Sequence, residues 1–253
     1  MSKYFVLAFT LLTLTCSSLA QDWTHDCSYT FTTGSGQNYL QSCVTVNGNV
    51  TEFQSPSGFE DIRYGPWGYS EGYGFCEVSS STPYFDFADG GDSGNWRAPV
   101  LLSSTANSAK IARTTNDGIW TLTQTFTQNA ANASLKVDMS LKNNSAVSRT
   151  VRLMRWVDAN ADNNRDNNNL GSDFMSAFAW AGYFGLIMQS VPPWTYLRSG
   201  YVQYTPLRPE PCDPFKYVVN YPLINDDGSM FLYYLITIPK ASAKHVALTY
   251  KAM

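Results

Sequence analysis

The acidic and amide residues between Asp158 and Asp173 are spaced in a way that could hold a cation. Calcium is a hard ion that takes roughly six to eight oxygen ligands, and alternate residues of a tight loop can aim carboxylate and amide oxygens at one point. Counted from Asp162, oxygen-bearing side chains fall at loop positions 1, 3, 5 and 12, on Asp162, Asn164, Asp166 and Asp173. A second register uses Asp158, Asn160, Asp162 and Asp166. Both make calcium the expected cofactor. The competing reading is an Asx-rich turn after a strand ending at Val157, because Asn and Asp cap turns with their own side chains.

A second acidic cluster, Asp86, Asp89 and Asp92, surrounds Gly90-Gly91. With Glu71 it could supply the two carboxyl groups of glycoside hydrolysis, which stand roughly 5–10 Å apart across the sugar. Aromatic residues form two further groups. Trp67, Tyr69 and Tyr73 lie in a glycine-rich stretch before Cys76, Trp96 follows the acidic cluster, and Trp194 and Tyr196 follow Pro193. Rings with a polar edge suit stacking on sugars, and glycine interleaving predicts exposure for the first group. Serine–histidine chemistry has little support. The sequence has only His25 and His245, and no Gly-x-Ser-x-Gly turn. Glycosylation sequons stand at Asn49, Asn132 and Asn143.

The elements that must position these residues read as strands. Trp120, Leu122 and Phe126 alternate with threonines, and Leu135, Val137, Met139 and Leu141 repeat the period of two. Asn47-Gly48 between Cys43–Val46 and Asn49–Phe53 is a strong hairpin signal, since both turn residues tolerate positive φ. The stretches 109–114, 119–127, 134–142 and 149–157 predict a four-stranded antiparallel meander. Apolar runs at 177–189, 231–238 and 245–250 predict further strands. No amphipathic helix stands out. The expected fold is all-β, one antiparallel β-sandwich over residues 21–253, with residues 64–96 forming long Gly/Tyr/Asp-rich loops with short strands over one face.

The N-terminus reads as a secretory leader over residues 1–20. Lys3 precedes an apolar run from Tyr4 to Leu14, and Ser18-Leu19-Ala20 offers small residues for cleavage. Lipid attachment at Cys16 and a retained anchor are the alternatives. Without the leader, 16 basic residues face 20 acidic ones, a net charge of −4 with no basic run. That argues against nucleic acid as a partner, and no later apolar stretch is long enough to enter a membrane. Four cysteines remain and allow three pairings, of which Cys27–Cys43 and Cys76–Cys212 are favoured.

Two resemblances add to this reading. The stretch from Trp120 to Asp158, with its threonine-alternating strands and Leu153-Met154-Arg155-Trp156-Val157-Asp158, resembles the sandwich domains of sugar-modifying enzymes such as mutarotases and polysaccharide lyases. It implies a sandwich, and the catalytic histidines of those families have no counterpart in it. Over Asp162–Asp173 the acidic loop is similar to the calcium loops of dockerins and EF-hands. It departs from them at Asn167, where they carry glycine, and at Leu170, which brings no side-chain oxygen. The expected function is a secreted, calcium-stabilised module binding a glycan or other extracellular ligand. Its alternatives are a protein-interaction surface and a carbohydrate-active enzyme built on the loop carboxylates.

Overall fold

The structure, a computed structural model, describes residues 27–62, 71–88, 91–129, 131–164, 166–204 and 210–253. The expected leader lies outside the described residues, as do Trp67, Tyr69 and Asp89.

Strands β1 (Tyr29–Thr33), β2 (Leu40–Val44) and β3 (Val50–Gln54) form a small antiparallel sheet. The turn joining β2 and β3 carries Gly48 at φ 88°, as the Asn47-Gly48 pair predicts. Next come β4 (Glu71–Glu77), β5 (Thr82–Phe87) and β6 (Gly91–Asp92), then β7 (Val100–Thr105), β8 (Ser108–Thr114), β9 (Trp120–Asn129) and β10 (Ser134–Asn143). The chain continues through β11 (Arg149–Asp158), β12 (Asn168–Ser172), β13 (Ser176–Ala181), β14 (Phe184–Val191), β15 (Leu197–Tyr204) and β16 (Val218–Val219). It ends with β17 (Leu223–Asp226), β18 (Gly228–Ile238) and β19 (Ser242–Ala252).

Two large antiparallel sheets take up most of these strands. One has nine strands in the order β17-β12-β13-β14-β19-β10-β9-β8-β7, and the other has seven in the order β16-β15-β18-β11-β4-β5-β6. Their inner faces interdigitate, so the all-β sandwich is established. Leu122, Phe126, Val137, Met139 and Leu248 come from the larger sheet; Phe75, Leu153, Leu232 and Tyr234 come from the smaller. Phe75 and Trp120 meet edge-on across the interface with ring centroids 5.6 Å apart. The outer face of the seven-stranded sheet carries a separate cluster of Phe87, Met154, Trp156, Phe231 and Tyr233.

Two sequence expectations are corrected here. β8, β9 and β10 are neighbours, but β11 crosses to the other sheet and pairs with β18 and β4. Both faces of β11 are apolar: Val151, Leu153 and Val157 point inward, while Met154 and Trp156 point to the outer cluster. The outer face beside β10 is polar, so β11 could not have been satisfied there. Secondly, residues 71–87 are not long loops but two strands joined by an exposed turn at 78–81. They make a β-hairpin whose first strand, β4, is buried along its whole length. The glycines that suggested exposure are needed for close packing. A Cβ on Gly72 would stand 1.9 Å from a Phe87 ring carbon, and one on Gly74 would stand 2.7 Å from Pro211.

The disulfides are Cys27–Cys43 and Cys76–Cys212, as favoured. The second ties β4 to the segment before Phe215. Among the described residues no helix is long and apolar enough to cross a membrane. Of the sequon asparagines, Asn49 and Asn143 are buried and Asn132 is exposed.

Candidate functional site

Of the carboxylates weighed for catalysis, Glu71, Asp86 and Asp92 are held in ion pairs. Glu71 points inward from β4 and Arg155 inward from β11, and neither has accessible surface. Arg155 Nε makes an ion pair with Glu71 Oε1, and its Nη2 donates to Glu71 Oε2 at 2.9 Å. The Tyr250 hydroxyl donates to Oε1 at 2.7 Å, and the Val50 N–H donates to Oε2 at 2.7 Å. Burial pushes the Glu71 carboxyl above its ordinary range, while Arg155, Tyr250 and Val50 pull it back.

Asp86 and Asp92 share Arg113. Arg113 Nη1 pairs with Asp86 and Nη2 with Asp92 Oδ2 at 2.7 Å. The guanidinium also lies over the Trp96 ring, 5.1 Å from its centroid. Burial raises Asp86 to about 6, against the pull of Arg113 and with a further push from Asp92. Trp96 donates from its indole N–H to the Phe85 carbonyl at 3.1 Å. Tyr73, with no exposed surface, donates its hydroxyl to the Asn47 carbonyl at 2.8 Å. Neither ring offers a face to a ligand. Trp194 is exposed, and its indole N–H reaches the Ser190 carbonyl at 3.1 Å. Tyr196 is half-buried under the Lys244 ammonium, 5.8 Å from its ring.

The residues of the acidic loop separate into two places. Asp158 closes β11, Asn160 is buried against the Ile62 carbonyl, and Asp162 sits in a short 3-10 turn, Ala161–Asn163. Asn164 ends that turn and Asp166 is exposed beyond it. Asp173 lies past β12. The strand's extended rise of about 3.3 Å per residue puts roughly 13 Å between its ends. Among the described residues no three His, Cys, Asp or Glu side chains form a group that could hold a metal.

The turn at Asp173 builds a different feature. Asp173 Oδ1 accepts from the Met175 N–H at 2.7 Å, the Ser176 N–H at 2.7 Å and the Ser176 hydroxyl at 2.9 Å. This closed Asx turn throws Phe174 outward, 58 % exposed. The Gly200 N–H donates to the Asp173 carbonyl at 3.1 Å, and β15 approaches so closely that a Cβ on Gly200 would stand 2.1 Å from the Ser176 carbonyl oxygen. The result is a cleft of about 370 Å³. Phe174 and Tyr221, the latter 63 % exposed, are its projecting rings; Asp173, Ser199 and Asn220 supply polar groups. Tyr201 lies against the cleft wall, stacked on Phe231 with centroids 5.3 Å apart. Trp194 belongs to the same end of the molecule: its acceptor Ser190 donates its own N–H to the Met175 carbonyl at 2.8 Å.

Sequence reasoning missed Phe174 and Tyr221. Phe174 directly follows a run read only for its oxygens. Tyr221 is separated from Phe174 by four strands, β13 to β16, and no local pattern marks it.

The β-sandwich is similar in fold to solved structures named for aldose epimerase and glucoamylase. A GalM/aldose epimerase homologue from C. elegans is similar with a TM-score of 0.57 and 8 % identity, covering 88 % of this chain and 98 % of that one. A putative aldose 1-epimerase from Escherichia coli K12 is similar at 0.52 and 13 %, again covering 88 % and 98 %. A bacterial glucoamylase complexed with acarbose is similar at 0.63 and 12 % identity, and covers 89 % of this chain. The chain spans 32 % of that glucoamylase's length. No protein-family model and no characterised protein matches the chain by sequence.

Proposed function

We propose that this chain is an extracellular or periplasmic carbohydrate-binding protein that takes a saccharide in the cleft between Phe174 and Tyr221. The observation that carries this reading is the pairing of two projecting rings with a floor of hydroxyl, amide and carboxylate groups. Sugars present an apolar face to rings and hydroxyls to polar groups, and that cleft offers both. The fold supports the substrate class, since its neighbours are named for aldose chemistry and one was solved with acarbose. Binding fits better than cleavage. Asp173 is the one carboxylate among the lining residues, and its Oδ1 is committed to the turn, whereas glycoside hydrolysis canonically uses two. The two disulfides and the leader-like N-terminus support an oxidising compartment.

The test is a screen against immobilised neutral oligosaccharides followed by calorimetry on the best binder. Phe174→Ala and Tyr221→Ala should each weaken binding about three- to tenfold. Their melting temperatures should stay at the wild-type value, because both side chains are largely exposed. Absence of binding at millimolar saccharide, or full binding by both variants, would remove the proposal.

A further inference from the structure

Asp61 lies far from the 158–173 run in sequence, yet the fold delivers it there. Three hydrogen bonds tie the backbone carbonyls of the segment Glu60–Ile62 to the acidic loop. The Asn160 N–H donates to the Asp61 carbonyl at 2.9 Å, the Asn163 N–H to the Glu60 carbonyl at 2.8 Å, and Asn160 Nδ2 to the Ile62 carbonyl at 2.9 Å. The Asp61 side chain has no accessible surface. Its Oδ1 accepts the Asp162 N–H at 3.1 Å, so the carboxylate faces the Ala161–Asn163 turn, while its Oδ2 has no hydrogen-bond partner.

A buried carboxylate with an oxygen that no donor reaches is costly unless a proton or a cation compensates it. Among the described residues, the charged groups acting on Asp61 are of the same sign. Glu60 and Asp162 both act on Asp61 as like charges. Glu60 already spends Oε1 on the Phe53 and Ile62 N–H groups, at 2.8 and 3.0 Å. Asp162 is half-buried, and its Oδ2 lies 3.0 Å from where a Cβ on Gly182 would stand, so the β13–β14 turn closes over it.

We propose that Asp61 and Asp162 are the carboxylate ligands of a divalent-cation site at the Ala161–Asn163 turn. The donors are all oxygen, which selects a hard ion, and calcium tolerates irregular shells that magnesium does not. Two carboxylates leave the rest of the shell to backbone and amide oxygens and water. Such a site belongs at the weak end, roughly 10⁻⁴–10⁻³ M, as in extracellular modules. Bound there, calcium would clamp the Glu60–Ile62 segment to the loop leading into β12, independently of whether the cleft takes a sugar.

Thermal melts of the mature, disulfide-intact chain in about 5 mM calcium chloride, in magnesium chloride and in excess chelator test the site. Calcium should raise the wild-type midpoint by several degrees and magnesium by less. Asp61→Asn and Asp162→Asn should lose the calcium increment, and Asp173→Asn should keep it. Identical wild-type melts in calcium and chelator overturn the proposal, and so does a calcium response that survives Asp61→Asn. A response that disappears with Asp173→Asn also overturns it, because the ion would then lie along the 12-residue loop. If Asp61→Asn does not fold, Asp162→Asn decides, since its side chain is partly exposed.

Discussion

Arg155 and Glu71 face each other where the three sheets meet, and the same guanidinium is bonded to all three. Beyond Glu71, its Nη1 donates to Gln124 at 2.6 Å, its Nε to the Tyr250 hydroxyl at 3.2 Å, and its Nη2 to the Gly48 carbonyl at 3.0 Å. Gln124 and Tyr250 belong to the nine-stranded sheet, and Gly48 to the turn of the small one. A fully desolvated pair of this kind adds little to net stability but is expensive to break, because either partner alone is a buried charge. Arg155→Met or Glu71→Gln should cost about 3–5 kcal/mol in denaturant unfolding. The double substitution should cost clearly less than the sum of the two. Additive losses would show that the pair is not coupled.

The Asp86–Arg113–Asp92 cluster sets a pH dependence. In the unfolded chain Asp86 releases its proton near the ordinary value of 3.8, whereas in the folded chain it holds the proton to about 6. Between these values the unfolded state binds fewer protons, so stability falls as pH rises. The contribution of this one group is about 3 kcal/mol, present below pH 4 and lost by about pH 6. Unfolding curves collected across pH 4–7 should show that decline relative to Asp86→Asn. Asn stands in for the protonated carboxyl, so the variant should lie near the wild type at pH 4 and above it at pH 7, without this group's share of the slope. A wild-type curve parallel to the variant's would refute the assignment.

The strand pattern was legible wherever one face is wet. β9 and β10 alternate cleanly because their outer faces carry threonine, lysine and serine. β4 and β11 are buried on both faces, so alternation carries no sign of which face is which, and β11's change of sheet is decided by tertiary packing. Charged residues misled for a related reason. Glu71 and Asp86 look like solvent-facing carboxylates until Arg155 and Arg113 are brought opposite them, and those partners lie 84 and 27 residues away. The acidic run was read as one 12-residue loop, but Asn168–Ser172 has the extended geometry of β12 and divides it. Its first part is hydrogen-bonded to Asp61 from across the fold, which no spacing rule anticipates.

The two disulfides should contribute unequally. Cys27–Cys43 spans 16 residues and Cys76–Cys212 spans 136. The loss of unfolded-chain entropy predicts about 3 and about 5 kcal/mol respectively. Cys76→Ala with Cys212→Ala should therefore lower the melting temperature more than Cys27→Ala with Cys43→Ala. It also releases the segment that lays Pro211 against Gly74 and Phe215 against Tyr201 and Tyr233. Equal effects would mean that denatured-state compaction dominates.

Gly72 tests whether the glycines of β4 serve packing or flexibility. Its Cβ position is overlapped by Phe87 and by the Asp86 carbonyl oxygen, at 1.9 and 2.6 Å. No positive φ is required there, so alanine is conformationally allowed and would be mildly favourable if the site were open. Phe87 cannot simply step aside, because it stacks on Phe85 and packs against Trp156 in the outer cluster. Gly72→Ala should therefore destabilise the protein by about 1–3 kcal/mol through overpacking. Gly72→Ala combined with Phe87→Leu should recover part of that loss, since the smaller side chain vacates the contested volume. A neutral or stabilising Gly72→Ala would show that β4 and β5 separate more readily than their register implies, and would restore the reading of this stretch as exposed loop.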